Sequence, residues 1–130
     1  DAKPPLAVVV KRPHGQMRRG ASTVNLPESG VLQKIYAQTS VVERFRNRFE
    51  VWPEFRQELQ DGGLRLLLGL DGSVDGFELP SDEFYVAVQY HPEFSSCRQT
   101  PAPVFVGLIQ AAVDRRKRMM RKRSRPDLVE

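Results

Sequence analysis

The chain has 130 residues, of which 40% are hydrophobic, and its formal net charge is +4 at pH 7. This length suits one domain with a modest core, and no apolar stretch is long enough to cross a bilayer. The single cysteine, Cys97, excludes an intrachain disulfide, and the first residues lack a signal-peptide pattern. We therefore expect a soluble, cytoplasmic protein that does not bind membranes. Because the first residue is Asp rather than Met, we also expect a fragment or a processed chain.

The first half of the chain predicts short strands around one helix. Strands are expected at 6–10 and 21–26, separated by a basic loop in which His14 is expected to be solvated. Apolar residues then recur at helical spacing over 27–36. In 41–51, large and charged side chains alternate, which is typical of a half-buried strand with a charged face. Its three arginines are either a solvated surface or a row that binds an anion.

The second half predicts a short helix, a hairpin, a buried strand and a final helix. Pro53 opens the short helix, and two apolar strands at 64–70 and 74–79 flank an Asp-Gly-Ser turn. The run 84–90 has no polar alternation, which favours a strand buried on both faces of a mainly parallel sheet. Pro103 begins a helix whose apolar stripe would pack on that sheet. These elements indicate an α/β fold, part of a mainly parallel, Rossmann- or flavodoxin-like sheet with flanking helices and a β-hairpin.

A histidine and a glutamate follow the buried run directly. His91 would lie at the carboxyl edge of the strand, which is where open α/β sheets bind ligands. Glu93, two residues on, can accept a proton from one ring nitrogen, which leaves the other nitrogen free to take a proton from a nucleophile. The alternative interpretation is a hydrogen-bonded structural histidine, which is the more common role of a lone histidine after a strand.

Two dense blocks of the sequence resemble the end of the glutaminase domain of CTP synthases. One is Glu43-Arg-Phe-Arg-Asn-Arg-Phe-Glu-Val51, and the other is Phe84-Tyr-Val-Ala-Val-Gln-Tyr-His-Pro-Glu-Phe94. Shorter matches are Met17-Arg-Arg-Gly20, Glu78-Leu-Pro80, Pro101-Ala-Pro103 and the segment 105–112. In order and nearly in spacing, the resemblance covers residues 17–112.

The resemblance implies a glutaminase with a Cys-His-Glu triad, in which the cysteine attacks the side-chain amide of glutamine, ammonia leaves, and water hydrolyses the thioester. His91 matches the base, Glu93 its orienting carboxylate, and Arg48 the arginine that holds the carboxylate of glutamine. No cofactor or metal site is implied for this segment. ATP and Mg are implied for the full-length synthase, which is also expected to be a homo-oligomer.

The chain departs from the family pattern at several positions. Phe45 and Asn47 stand where the family has histidines, Trp52 stands where an asparagine is usual, and Cys97 stands at an arginine position. We expect Cys97 to be a small buried or half-exposed thiol rather than the nucleophile, because folds normally bring nucleophile and base together from separate elements.

The Gly-x-Cys-x-Gly elbow that carries the nucleophile in this family does not occur in the sequence. We therefore expect 1–113 to be the carboxy-terminal part of a glutamine amidotransferase domain, incomplete and inactive alone, and 114–130 to be a basic tail. The implied partners are glutamine, the synthetase domain, the amino-terminal half of the glutaminase domain and, for the tail, acidic partners. The alternative is a catalytically inactive remnant that acts as a binding or assembly module.

Overall fold

The computed structural model describes residues 7–80 and 84–124. Its strands are β1 (Val9–Lys11), β2 (Arg18–Asn25), β3 (Ser40–Asn47), β4 (Phe49–Val51), β5 (Arg65–Gly69), β6 (Val74–Glu78) and β7 (Val86–Val88). Its α-helices are α1 (Val31–Tyr36), α2 (Arg56–Asp61) and α3 (Pro103–Arg123). Three parts of the predictions lie outside the described part of the chain: residue 6 of the first predicted strand, the side chain of His14, and the tail beyond residue 124.

The strands form a five-stranded sheet and a separate two-stranded ribbon. The order in the large sheet is β3-β2-β5-β6-β7, and β1 pairs with β4 in the ribbon. Each neighbouring pair among the described strands is antiparallel. The expected mainly parallel sheet is therefore not confirmed. Short connections such as residues 70–73, which join β5 to β6, form hairpins, and the two strands of a hairpin are antiparallel.

Two predicted strands differ from the observed ones by more than a shift of their ends. The sequence predicts one strand over 41–51, but it divides at Arg48 into β3 and β4, which belong to different sheets. The run 84–90 forms only the three-residue strand β7, which lies at an end of the five-stranded order and has half-buried side chains. The prediction of a strand buried on both faces was wrong, because the three residues of β7 are only half-buried. Tyr90, the most buried residue of the run, lies beyond the end of that strand.

Strand β3 has the alternation that its sequence predicts. Its inner face is buried and consists of Val41, Glu43, Phe45 and Asn47. The residues between them are exposed, and β2 pairs with β3 along its length. The hydrophobic core under this pair includes Val24, Leu32 and Leu67, which have no exposed area.

Helix α3 begins at Pro103, as the sequence predicts, and continues to Arg123. Ala102 and Val104 pack in the core, whereas the apolar side chains further along the helix are largely exposed. The basic segment that follows residue 113 is therefore helical as far as it is described. Among the described residues, no helix has both the length and the apolar character needed to span a membrane.

The start of α1 depends on a buried glutamate from β6. Glu78 is 1% exposed, and its carboxylate oxygens accept hydrogen bonds from the backbone N–H groups of Val31 and Leu32, each at 3.0 Å. These amides belong to the first turn, where a helix offers no acceptor of its own. A Cβ atom at Gly30 would collide with the same carboxylate, so glycine is required before the helix.

Replacing Glu78 with alanine should lower the free energy of unfolding by about 1–3 kcal/mol, because it leaves two buried amide donors without an acceptor. Urea denaturation followed by circular dichroism measures this loss. The variant Glu54→Ala, at an exposed position, is the matched control and should have little effect. Equal losses in the two variants would contradict the capping role.

Candidate active site

The segment that carries His91 and Glu93 crosses from the β6 end of the sheet to the outer edge of β3. The backbone N–H of Gln89 donates to the carbonyl oxygen of Asp75 at 2.8 Å, and that of His91 donates to the carbonyl oxygen of Arg44 at 2.8 Å. Pro92 then opens a single 3-10 turn that ends at Phe94. Backbone hydrogen bonds thus fix the segment immediately before the histidine side chain.

His91 and Glu93 form the pair that their spacing predicts. The Nδ1 atom of His91 lies 2.6 Å from Oε1 of Glu93, and the two side chains are 36% and 54% exposed. The hydrogen bond from His91 lowers the pKa of the Glu93 carboxyl below its ordinary value. With Nδ1 engaged, Nε2 is the ring nitrogen left to exchange a proton with a reacting group. The imidazole also stacks on the Phe94 ring, with centroids 5.0 Å apart and planes 20° apart.

A buried hydroxyl and carboxylate network lies under this pair, and sequence reasoning missed it. Tyr36 donates its hydroxyl hydrogen to Oε1 of Glu43 at 2.9 Å, and the hydroxyl oxygens of Tyr36 and Tyr90 are 3.3 Å apart. Burial raises the pKa of both phenols, that of Tyr90 to about 12. Both hydroxyls are therefore neutral donors at physiological pH. The available signal was the alternation of β3, which places Glu43 on the same face as Phe45.

Phe45 anchors the segment from the core side. Its ring meets that of Tyr90 edge to face, with centroids 6.1 Å apart, and the guanidinium carbon of Arg18 lies 3.5 Å from its ring centroid. Arg18 in turn pairs with the fully buried Asp75. The phenylalanine at a family histidine position therefore serves as packing for the residue that precedes His91.

Arg48 lies at the junction between β3 and β4, and its side chain is exposed. The backbone N–H of Arg12 donates to its carbonyl oxygen at 2.9 Å, which ties the junction to the loop after β1. Arg44 and Arg46 are exposed on the same face of the strand. Arg44 and Arg46 therefore give β3 an exposed basic face, His91 docks by its backbone beside Arg44, and Arg48 follows beyond the end of the strand.

Cys97 is exposed, so the expectation of a buried or half-exposed thiol was wrong. Its Sγ atom lies 3.1 Å from the Thr100 hydroxyl oxygen, and this hydrogen bond lowers the thiol pKa. The loop after the 3-10 turn leads away from the core, and this explains the exposure. The hydrogen-bond partner of His91 is Glu93, and that of Cys97 is Thr100.

The fold and the histidine–glutamate pair define the class of protein. The chain matches the family described as glutamine amidotransferase class-I over residues 7–111. The chain belongs to this family, and its α/β fold is a class-I glutamine amidotransferase fold.

Within that class, the similar proteins are CTP synthases. The chain is 46% identical over 105 residues to the CTP synthase of Methanopyrus kandleri and 41% identical over 99 residues to that of Saccharolobus solfataricus. These matches cover 79% and 75% of this chain but 20% and 18% of the relatives, so the chain spans about a fifth of their length. A solved glutaminase domain of Trypanosoma brucei CTPS with bound acivicin has a TM-score of 0.75 and 33% identity, over 82% of this chain and 46% of that one.

Removing the ring of His91 should raise the pKa of the Glu93 carboxyl towards its ordinary value, because the hydrogen bond that lowers it is lost. Carboxyl-carbon NMR titration of the wild type and the His91→Ala variant measures the change. Because the pKa of Glu93 is lower in the folded chain than in the unfolded chain, the pair stabilises the fold at pH values above the unfolded-state pKa. This stabilisation is lost as the pH falls through the folded-state pKa. Glu54 is the internal control. An unchanged Glu93 titration would show that the pair does not form in solution.

Proposed function

We propose that this chain is the carboxy-terminal half of the glutaminase domain of a CTP synthase. That domain supplies ammonia from glutamine for the ATP-dependent amination of UTP to CTP, and its nucleophilic cysteine is supplied by a segment outside these 130 residues. The observation that carries the proposal is the His91–Glu93 pair at 2.6 Å, within a chain whose relatives are CTP synthases.

In the proposed reaction, Nε2 of His91 takes the proton of the cysteine thiol, and the thiolate attacks the side-chain amide carbon of glutamine. The protonated imidazole then gives its proton to the leaving nitrogen, so ammonia departs and a thioester remains. Water attacks the thioester while His91 takes a proton from it, and the returning proton restores the thiol. Glu93 holds the imidazole by Nδ1 throughout and stabilises its charged form.

Arg48 is proposed to bind the α-carboxylate of glutamine. A guanidinium offers two parallel N–H donors that match the two oxygens of a carboxylate. The exposed position of Arg48, just beyond the strand that carries Arg44 and Arg46, leaves this side chain accessible to a ligand. Acivicin bound to the Trypanosoma brucei glutaminase domain supports a small-molecule site in this type of domain.

The amino-terminal half of the glutaminase domain is proposed to add its strands beside β7. Among the described strands, β7 pairs only with β6, so its other edge is open to further pairing. Parallel strands added there would give a mixed sheet, whereas the sequence predicts a mainly parallel one. ATP and Mg are proposed to bind to the synthetase domain. Within the described residues, no group of three His, Cys, Asp or Glu side chains could hold a metal ion. The homo-oligomer expected of the full-length enzyme stays a prediction.

A hybrid enzyme tests the function directly. Residues 7–111 of this chain should replace the matching segment of the Methanopyrus kandleri CTP synthase and retain glutamine-dependent CTP formation. In the hybrid, His91→Ala should abolish glutamine-dependent CTP formation and leave ammonia-dependent formation unchanged, because only the first route needs the base. Steady-state rates with glutamine and with ammonium chloride separate the two routes.

The hybrid also allows a control variant at a position away from the pair. The variant Glu54→Ala, exposed and remote in sequence from the pair, should keep both activities. A folded hybrid that uses ammonia but not glutamine would contradict the proposal and favour the inactive remnant, for which the similarity to CTP synthases gives no support.

We also propose that the basic end of α3 contacts an acidic partner. The exposed cations in this part of the helix include Arg116, Lys117, Arg118, Arg121, Lys122 and Arg123. Like charges three and four residues apart repel one another on a helix, so an acidic surface against them would stabilise it.

The chain should bind polyglutamate at low salt, and binding should weaken steeply as salt screens the charges. Replacing Arg118, Arg121 and Lys122 together with glutamine should weaken binding several-fold, as measured by fluorescence anisotropy. The replacement of Gln57, Gln60 and Gln110 with asparagine preserves charge and serves as the control. An affinity for polyglutamate that changes neither with salt concentration nor with the triple replacement would contradict the proposal.

A further inference from the structure

We propose that Glu43 is a positioning residue for the acid–base pair, because its buried carboxylate holds the chain on the core side of His91 and Glu93. The contacts with Glu43 are independent of any reaction, whereas their catalytic consequence rests on the function proposed above. Glu43 does not touch the reacting groups, and it acts through Tyr36 and Tyr90.

The burial of Glu43 calls for an explanation. It is 5% exposed and lies on the inner face of β3 between Val41 and Phe45, which both pack in the hydrophobic core. Burying a carboxylate is costly unless hydrogen bonds replace its water, and an apolar side chain would fill this place at lower cost. The contacts of Glu43 show where this cost is offset.

The carboxylate of Glu43 connects to both sides of the His91–Glu93 segment. On the amino-terminal side, Oε1 accepts the hydroxyl hydrogen of Tyr36. The Tyr90 hydroxyl oxygen lies 3.3 Å from the Tyr36 hydroxyl oxygen, and Tyr90 is therefore left to donate to Tyr36. On the carboxy-terminal side, the Ser95 hydroxyl lies 3.4 Å from Oε2 and 3.2 Å from the carbonyl oxygen of Pro92, and shares its one hydrogen between them.

The backbone adds a third connection at the neighbouring residue of β3. The carbonyl oxygen of Arg44 accepts the N–H of His91, so consecutive residues of the strand hold the segment by side chain and by backbone. The catalytic side chains themselves are partly exposed, and solvent does not restrain them. Apart from the stacking of His91 on Phe94, their orientation therefore depends on the buried side of the segment, which Tyr90 and Glu43 hold in place.

Positioning of this kind affects the rate more than the affinity for substrate. A general base must stay within hydrogen-bond reach of the proton it takes, and a small displacement is sufficient to slow the reaction. Glu43→Ala removes both acceptors, whereas Glu43→Gln keeps an acceptor for Tyr36 and offers a donor to Ser95. The pair of variants therefore separates the hydrogen-bonding role from the charge.

The first measurement needs no catalysis. In the 130-residue chain, Glu43→Ala should raise the pKa of Glu93 towards its ordinary value in a carboxyl-carbon NMR titration, and Glu43→Gln should leave it depressed. Asn47→Ala is the matched control, because it also removes a buried polar side chain from the inner face of β3, but one that donates to the Phe49 carbonyl oxygen. If Glu43→Ala fails to fold, Tyr90→Phe removes one hydroxyl of the network and should give the same direction of change.

The second measurement uses the hybrid CTP synthase. Glu43→Ala should lower kcat for the glutamine-dependent reaction by about 100-fold, with little change in KM for glutamine and in the ammonia-dependent rate, and Glu43→Gln should restore kcat. A hybrid without any glutamine-dependent activity overturns the proposed function, while the titration still decides the role of Glu43. An unchanged Glu93 pKa in Glu43→Ala, or an equal change in Asn47→Ala, would overturn the positioning role.

Discussion

The docking of the His91 segment on the outer edge of β3 is the contact on which the rest of the site depends. An edge strand has unpaired backbone groups, and here the Arg44 carbonyl uses its free side to accept the His91 amide. The same strand sends Glu43 and Phe45 inward to meet Tyr90 and sends its arginines outward. One strand thus supports the His91 segment and carries the basic face beside it.

The two ends of the fold differ in how they are packed. The site gathers around β3 and the ends of β6 and β7, where backbone hydrogen bonds and buried rings restrict motion. Helix α3 packs on one side through its first two turns, where Gly107 lies against Ile35 and Phe84, and further along it exposes apolar and basic side chains. The first region is therefore held on its buried side, whereas the second presents an uncovered surface.

Local features of the fold could be predicted from the sequence, and long-range ones could not. The alternation of β3, the hairpin of β5 and β6, the helix start at Pro103 and the His91–Glu93 contact all follow from short spacings. The antiparallel order was missed because an apolar run such as 84–90 does not reveal its neighbours. The Glu43 network was missed because it joins residues up to 54 positions apart, as in the Tyr36–Tyr90 contact. The division of the strand at Arg48 leaves no mark in the period-2 pattern.

The inward and outward rows of β3 also restrict how this protein can change in evolution. Inserting or deleting one residue within the strand would exchange its two faces beyond that point, because side chains alternate with a period of two. Such a change near Ser40 would turn Glu43 and Phe45 to solvent and force arginines into the core. Changes in length are therefore confined to pairs of residues or to the loops, whereas single substitutions on the outer row leave the packing intact.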